Sequence, residues 1–125
     1  MDENELSFKI IGAAISIHRS LGPGLLESAY ETALVYDLIE MGFHINQQVA
    51  MPFYYKDVKQ SIGYRADILV NNKVIVEIKS IESLAPIHYA QTLTYLRVSN
   101  LKLGLLINFN CLTLKDGIHR IVNGL

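Results

Sequence analysis

The chain has 125 residues, of which half are apolar and 18% are charged, so intrinsic disorder is excluded and one globular domain over residues 1–125 is expected. Lys and Arg number 11 and Asp and Glu number 12, so composition alone predicts no strongly cationic surface. The lone Cys111 excludes an internal disulfide framework and a multi-cysteine zinc site. Without a membrane-length apolar run, and with acidic residues at its start, the chain is expected to be soluble and cytoplasmic.

The first third of the chain predicts two helices. Residues 7 to about 20 carry apolar side chains at helical spacing, and Ser7 is expected to cap this helix. The turn at 22–24, which reads Gly-Pro-Gly, ends it. A second helix is predicted over residues 25–41, and Gly42 supplies its C-terminal stop.

The rest of the chain predicts strands with one further helix. Apolar alternation and turn residues mark the strands, whereas Pro86 is expected in the first turn of the helix. The predicted order, α-α-β-β-β-α-β-β, indicates an α/β fold with a mixed central sheet flanked by helices. The predicted strands cover 45–55, 62–70, 73–79 and 101–109, the helix covers 84–98, and a last short hairpin runs through 115–117.

The strand at 73–79 contains the first candidate for chemistry. Because strand side chains alternate between faces, Glu77 and Lys79 project from the same side of a strand that is otherwise apolar. An acid and an amine at this spacing are also typical of an ion pair on an exposed sheet face, which contributes little to stability. This strand by itself leaves both interpretations open.

The preceding strand holds one acid, Asp67, in an element where Asp is disfavoured. A two-residue loop at 71–72 would place Asp67 opposite Val76, on the wrong face, whereas a three-residue loop at 71–73 places it opposite Glu77. Adjacent carboxylates repel unless a cation lies between them, and oxygen ligands favour Mg²⁺ or Mn²⁺. We therefore predict the three-residue loop and a divalent-ion site.

Two groups of side chains at helical spacing add weaker candidates. The members of each group lie three or four residues apart, so each group lies near one face of its helix. Each of these residues also has an ordinary structural explanation: Glu27 as a solvated acid, Tyr95 as a core aromatic and His88 as a surface histidine. The groups are Gly24, Glu27 and Tyr30 in the second helix, and His88, Gln91 and Tyr95 in the later one.

Together these residues resemble a known pattern. Asp67, nine intervening residues and then Glu77-Ile78-Lys79 resemble the PD-(D/E)xK nuclease signature, although Ala66 stands where the signature has Pro. Residues 24–30 resemble the motif of the GxxExxY proteins, a family placed in that superfamily. The likeness extends from about residue 11 to 121. It implies a restriction-endonuclease-like core of order αβββαβ, here with an extra N-terminal helix.

The resemblance implies a role for each residue of the signature. Asp67 and Glu77 are expected to bind Mg²⁺ or Mn²⁺ together with the backbone carbonyl of Ile78. Lys79 is expected to orient the attacking water or to stabilise charge at phosphorus. Glu27 is expected to complete the site, directly or through a water molecule.

The resemblance also implies residues that contact the substrate. Gln91 and Tyr95 match the QxxxY motif of RecB-like exonucleases, which supports the site and contacts nucleic acid. His18 falls, more loosely, where some of these enzymes have a metal-binding histidine. The charge count, rather than the resemblance, suggests a phosphate-binding rim, because a metal would offset the three acids at 27, 67 and 77. The residues expected to form this rim are Arg65, Lys79, Arg97 and Lys102.

These features predict a metal-dependent nuclease that hydrolyses phosphodiester bonds in DNA or RNA. The near-neutral charge leaves an alternative, a catalytically silent nuclease-fold module that binds nucleic acid or a protein partner. A different phosphoryl or carboxyl chemistry is a third interpretation. DNA is the expected partner, no membrane is expected, and a homodimer is one arrangement that the resemblance suggests.

Overall fold

The computed structural model describes residues 1–60 and 63–125. Within them lie three helices, seven strands and one 3₁₀ turn. The helices are α1 (Glu3–Leu21), α2 (Glu27–Glu40) and α3 (Pro86–Ser99), and the 3₁₀ turn covers Leu114–Gly117. The strands are β1 (Ile45–Ala50), β2 (Phe53–Tyr55), β3 (Val58–Gln60), β4 (Arg65–Val70), β5 (Val74–Lys79), β6 (Leu103–Asn108) and β7 (Ile118–Val122).

Five of the described strands form a mixed central sheet in the order β1-β4-β5-β6-β7, in which β5 and β6 are parallel and the other neighbours antiparallel. Val74, Val76 and Ile78 face a core that contains α1 and α2, whereas Ile75 packs with α3 on the opposite side. The predicted α/β class, with helices flanking a mixed sheet, is confirmed. Across the described ranges, no helix combines the length and apolar character that crossing a bilayer requires.

Helix α1 begins four residues before its predicted start. The Oδ1 atom of Asp2 accepts a hydrogen bond from the Glu5 N–H at 2.8 Å, so Asp2 caps the helix. The prediction of Ser7 as the cap is wrong, because Ser7 lies inside the helix and its side chain is buried. The predicted end is confirmed, since Gly22 leaves the helix with φ of 73°.

The segment predicted as one strand over 45–55 is divided. β1 ends at Ala50, and β2 and β3 form a separate antiparallel hairpin. Its turn residues, Lys56 and Asp57, have φ values of 51° and 63°, as a type I′ turn requires. Pro52 lies at the break and has no N–H to donate to a sheet. The predicted beginning of the next strand, at residue 62, lies outside the described residues.

The β4–β5 hairpin has the predicted register. Val70 pairs with Val74, so residues 71–73 form a three-residue loop. Asn71 and Asn72 adopt left-handed φ values of 51° and 55° within it. The pairing of Ile68 with Val76 then places the next residues, Asp67 and Glu77, opposite each other.

The end of the chain departs from the predicted tight hairpin. Residues 115–117 belong to the 3₁₀ turn, and β7 instead pairs with β6 across a longer connection.

On β6, Gly104 lies directly beneath α3, where a Cβ atom would meet Thr92 Cγ2 at 2.9 Å. Gly104 is therefore a position where the strand and the helix approach each other closely.

Candidate active site

Asp67 and Glu77, here called the acid pair, lie side by side where β4 and β5 stop pairing through their backbones. The Asp67 N–H donates to Glu77 Oε1 at 3.0 Å. The Ile78 N–H donates in turn to Asp67 Oδ2 at 2.8 Å. One oxygen of each carboxylate is therefore held by the backbone, and the two side chains are fixed next to each other.

Burial and mutual repulsion act on the acid pair. Glu77 is 4% exposed, and its pKa is raised to about 8, first by desolvation and then by the charge of Asp67. Desolvation also raises the pKa of the half-buried Asp67, although its hydrogen bond from the Ile78 backbone opposes the shift. In the free protein the acid pair therefore retains a proton near neutral pH.

Lys79 and the Ile78 backbone complete this end of β5. The charge of Lys79 lowers the pKa of both carboxyl groups of the acid pair, as expected for an ammonium group on the same face. The Ile78 N–H points toward β4, and in a strand the N–H and C=O of one residue point to the same side. The carbonyl of Ile78 is therefore directed toward β4 as well, whereas Lys79 O accepts from the Phe109 N–H on the β6 side.

Two residues near the acid pair were not predicted from the sequence. Gln48 falls opposite Asp67 in β1, and its Nε2 lies 3.4 Å from Asp67 Oδ1 and 3.2 Å from both Glu31 carboxylate oxygens. Its φ of 51° is unusual for a non-glycine residue in a strand. Glu31 could have been predicted from the sequence, because it follows Glu27 by four residues and therefore lies on the same face of α2.

The side chain of Glu27, the first residue of α2, reaches the end of β5. Its Oε2 accepts from the Ser80 N–H at 3.2 Å, and the Ser80 hydroxyl donates to the carbonyl of Leu25. These bonds attach the start of α2 to the residue that follows Lys79. Glu31, also in α2, is the acid whose charge raises the pKa of both Asp67 and Glu77. A role of Glu27 in metal binding stays a prediction.

The predicted residues of α3 separate into two roles. Tyr95 is 5% exposed and belongs to the same buried cluster as Ile75, which lies on the same face of β5 as Glu77. Its pKa is raised to about 12, first by desolvation and then by the charges of Glu77 and Asp67. Gln91, one turn earlier, lines an apolar pocket together with Tyr95. His88 instead accepts from the Ala85 N–H at its Nδ1, at 2.9 Å, and caps the start of α3.

Tyr30 and His18, which the sequence analysis also singled out, make structural hydrogen bonds to the backbone. The Tyr30 hydroxyl donates to the Gly22 carbonyl and accepts from the Leu25 N–H, while its ring stacks on Phe109 with centroids 4.4 Å apart. The Tyr30 side chain is fully buried. His18 is also buried, and its Nε2 lies 2.8 Å from the carbonyl of Cys111.

The predicted phosphate-binding cations lie on the surface. Arg65 is exposed, and its Nη1 donates to the Gln48 carbonyl at 3.1 Å, which places the guanidinium beside the strand residue opposite Asp67. Arg97 is exposed in the last turn of α3, and Lys102 is exposed just before β6. Arg65 is therefore near the acid pair, whereas no described contact joins Arg97 or Lys102 to it.

A comparison with known protein families identifies the superfamily of the chain. A family model described as the PD-(D/E)XK nuclease superfamily matches residues 4–121, a range that covers nearly all of α1 at one end and nearly all of β7 at the other. The chain belongs to the PD-(D/E)XK nuclease superfamily. Comparisons with curated proteins and with solved structures gave no significant match.

PD-(D/E)XK nucleases generally use divalent metal ions, and the acid pair fits such an ion. Within residues 1–60 and 63–125, no three Asp, Glu, His or Cys side chains form a complete metal cluster. Mg²⁺ does not need one, because it is usually bound through one or two carboxylates and several waters. Asp67, Glu77 and the Ile78 carbonyl form an all-oxygen donor set suited to Mg²⁺ or Mn²⁺.

Proposed function

We propose that this protein is a divalent-metal-dependent nuclease that hydrolyses phosphodiester bonds in DNA or RNA. The observation that carries the proposal is the juxtaposition of Asp67 and Glu77, each held by a backbone N–H where β4 and β5 part. Placing two carboxylates together in a desolvated site is unfavourable for the fold. A bound divalent ion would offset that repulsion, which gives the arrangement a functional reason.

Each residue of the site has a distinct task in this proposal. Asp67, Glu77 and the Ile78 carbonyl would hold the ion, which would supply a water of lowered pKa and polarise the phosphoryl oxygen. Lys79 places its ammonium beside the scissile phosphate and stabilises the negative charge that develops there. Glu27, through its bond to the Ser80 N–H, holds the end of β5 in position.

The remaining predicted residues bind and position the substrate. Gln91 and Tyr95 orient the phosphate or Lys79 from α3, and Arg65 and Arg97 contact the phosphates of the strand. The finer family assignment belongs to the same proposal: residues 24–30 resemble the motif of the GxxExxY proteins, which supports membership in that family. DNA as the usual substrate and a homodimer as the working form are also part of it.

A second candidate function is a silent nuclease-fold module that binds nucleic acid or a protein. The formal charge of -1 favours it, because strong non-specific DNA binding normally requires a marked basic patch. The two candidates differ in one physical requirement. A binding module gains nothing from a desolvated acid pair, whereas a nuclease needs it to hold the ion.

The deciding experiment is a cleavage assay on labelled single-stranded, duplex and branched DNA and on RNA, with Mg²⁺, Mn²⁺ or EDTA. We expect metal-dependent cutting that Asp67→Asn, Glu77→Gln and Lys79→Ala each reduce about 100-fold or more. Glu40→Gln is the matched control, because Glu40 is an exposed acid at the end of α2.

Two outcomes would contradict the proposal. Cutting that survives both Asp67→Asn and Lys79→Ala would assign the activity to another site or to a contaminant. No cutting of any substrate, combined with no heat of Mn²⁺ binding in calorimetry, would favour the silent module.

A further inference from the structure

An open apolar pocket, here called the α3 pocket, lies between the β2–β3 hairpin and α3. Its volume is about 470 Å³, within the range of roughly 300–1,000 Å³ that is usual for small-molecule sites. The described side chains that line it are uncharged and mostly apolar. The residues that carry the argument are Met51, Phe53, Tyr64, Gln91, Thr94 and Tyr95.

Three aromatic rings line the α3 pocket in succession. The centroids of Phe53 and Tyr64 are 6.0 Å apart, and those of Tyr64 and Tyr95 are 6.4 Å apart, with tilted planes in both cases. Tyr95 belongs to the same cluster of buried side chains as Ile75, and Ile75 lies on the same face of β5 as Glu77 because strand side chains alternate. The α3 pocket and the acid pair therefore lie on the same face of the central sheet.

The composition of the α3 pocket selects a flat, uncharged group with polar edges. Aromatic walls bind such a group by stacking. The Gln91 amide and the Thr94 hydroxyl each offer both a donor and an acceptor for its edge. A phosphate would instead lie outside the pocket, toward Lys79 and the exposed Arg65.

We propose that the α3 pocket receives one unpaired nucleobase of the strand whose phosphodiester lies at the acid pair. This inference rests on the proposed nuclease function and names its substrate class. A base inside a duplex is stacked and paired, so it enters such a pocket only when it is single-stranded or flipped out. The substrate is therefore a single strand, an unpaired end or a branch, rather than an intact duplex.

The test is fluorescence anisotropy in EDTA, where binding is measured without cleavage. The probes are a short labelled thymidine strand, an abasic strand of the same length and a blunt duplex of the same length. We expect the thymidine strand to bind about tenfold or more tightly than the other two, because stacking on an aromatic side chain contributes about 1–3 kcal/mol per base. The abasic probe leaves the protein unchanged, so it tests the pocket independently of folding.

Phe53→Ala is the matching protein variant and Tyr54→Ala its control. The two residues are neighbours in β2, and the exposed Tyr54 does not line the α3 pocket. We expect Phe53→Ala to remove the preference for the thymidine strand and Tyr54→Ala to leave it unchanged, with thermal melting used to check that both fold.

The outcomes separate this inference from the proposed function. Equal binding of the thymidine and abasic strands, equal binding of the duplex, or no binding at all overturns the pocket assignment, even if metal-dependent cutting is observed. A dimer that Phe53→Ala dissociates also overturns it, because a second copy then occupies the pocket. Base-dependent binding through Phe53 without any cutting supports the pocket and contradicts the nuclease.

Discussion

The backbone N–H of Asp67 donates to the side chain of Glu77 across two strands, at 3.0 Å. A carboxylate thereby replaces the backbone acceptor that the antiparallel ladder would supply at this position. Because Glu77 is both a buried acid and a partner of the backbone, its ionisation is coupled to folding and to metal binding. Two of the following predictions rest on this coupling.

Metal binding is expected to release a proton. The pKa of Glu77 is raised to about 8, first because burial disfavours its charge, so at neutral pH this carboxyl is mostly protonated in the free protein. A metal ligand must be ionised, so Mn²⁺ binding should displace about one proton per ion, and affinity should rise with pH through this range. Calorimetry in two buffers of different ionisation enthalpy measures the release.

Glu77→Gln is expected to abolish both the binding and the proton release, whereas Glu40→Gln should change neither. A binding heat that is the same in both buffers would show that Glu77 is already ionised in the free protein, and would contradict the first prediction.

Without metal, the free energy of unfolding is expected to fall as pH rises. The pKa of Glu77 in the folded protein, about 8, lies above its ordinary value of 4.5, so between these values the folded state holds more protons than the unfolded chain. Stability therefore declines with pH across this window, and Glu77 contributes no slope below or above it. Urea denaturation in EDTA at several pH values measures the effect.

Glu77→Gln should remove this decline, because glutamine keeps the acceptor for the Asp67 N–H and does not titrate. If the variant and the original protein show the same pH slope, the coupling between Glu77 and folding is absent.

Gly104→Ala is expected to destabilise the fold by about 1–3 kcal/mol. The added Cβ would lie 2.9 Å from Thr92 Cγ2, and a β-branched side chain on a buried helix face has little freedom to move away. Gly12→Ala is the control, since Gly12 is exposed in α1 with no atom within 4 Å of an added Cβ. That change should stabilise the helix by about 1 kcal/mol. A neutral Gly104→Ala in urea denaturation would contradict the close approach.

Tyr30→Phe is expected to cost about 1–3 kcal/mol, because the Gly22 carbonyl and the Leu25 N–H would each lose a hydrogen-bond partner. The stacking on Phe109 remains, so the loss isolates the hydroxyl. Tyr36→Phe is the matched control on the same helix, where the side chain is 66% exposed. Equal unfolding midpoints for the two variants would show that the hydroxyl does not hold this turn.

The placement of Glu77 and Lys79 was predictable, because strand alternation puts both on one face. The position of Asp67 also depended on the loop length, for which the sequence allowed two values, and the observed three-residue loop at 71–73 brings Asp67 opposite Glu77. The division of the segment 45–55 into two strands was less accessible. Its β-rich composition suits either arrangement, and the separate hairpin is closed by Lys56 and Asp57, which are not the usual glycine turn residues.

By itself, the sequence determined the α/β class, the faces of the strands and the residues of the acid pair, because side-chain period acts over a few residues. The structure decided between the two loop lengths that the β4–β5 hairpin could take. The tertiary structure alone decided that Gln48 and Glu31 join Asp67, and that Phe53 and Tyr64 line up with Tyr95. These contacts join separate elements. They depend on how the helices and the β2–β3 hairpin pack on the sheet, and no local pattern in the chain specifies that packing.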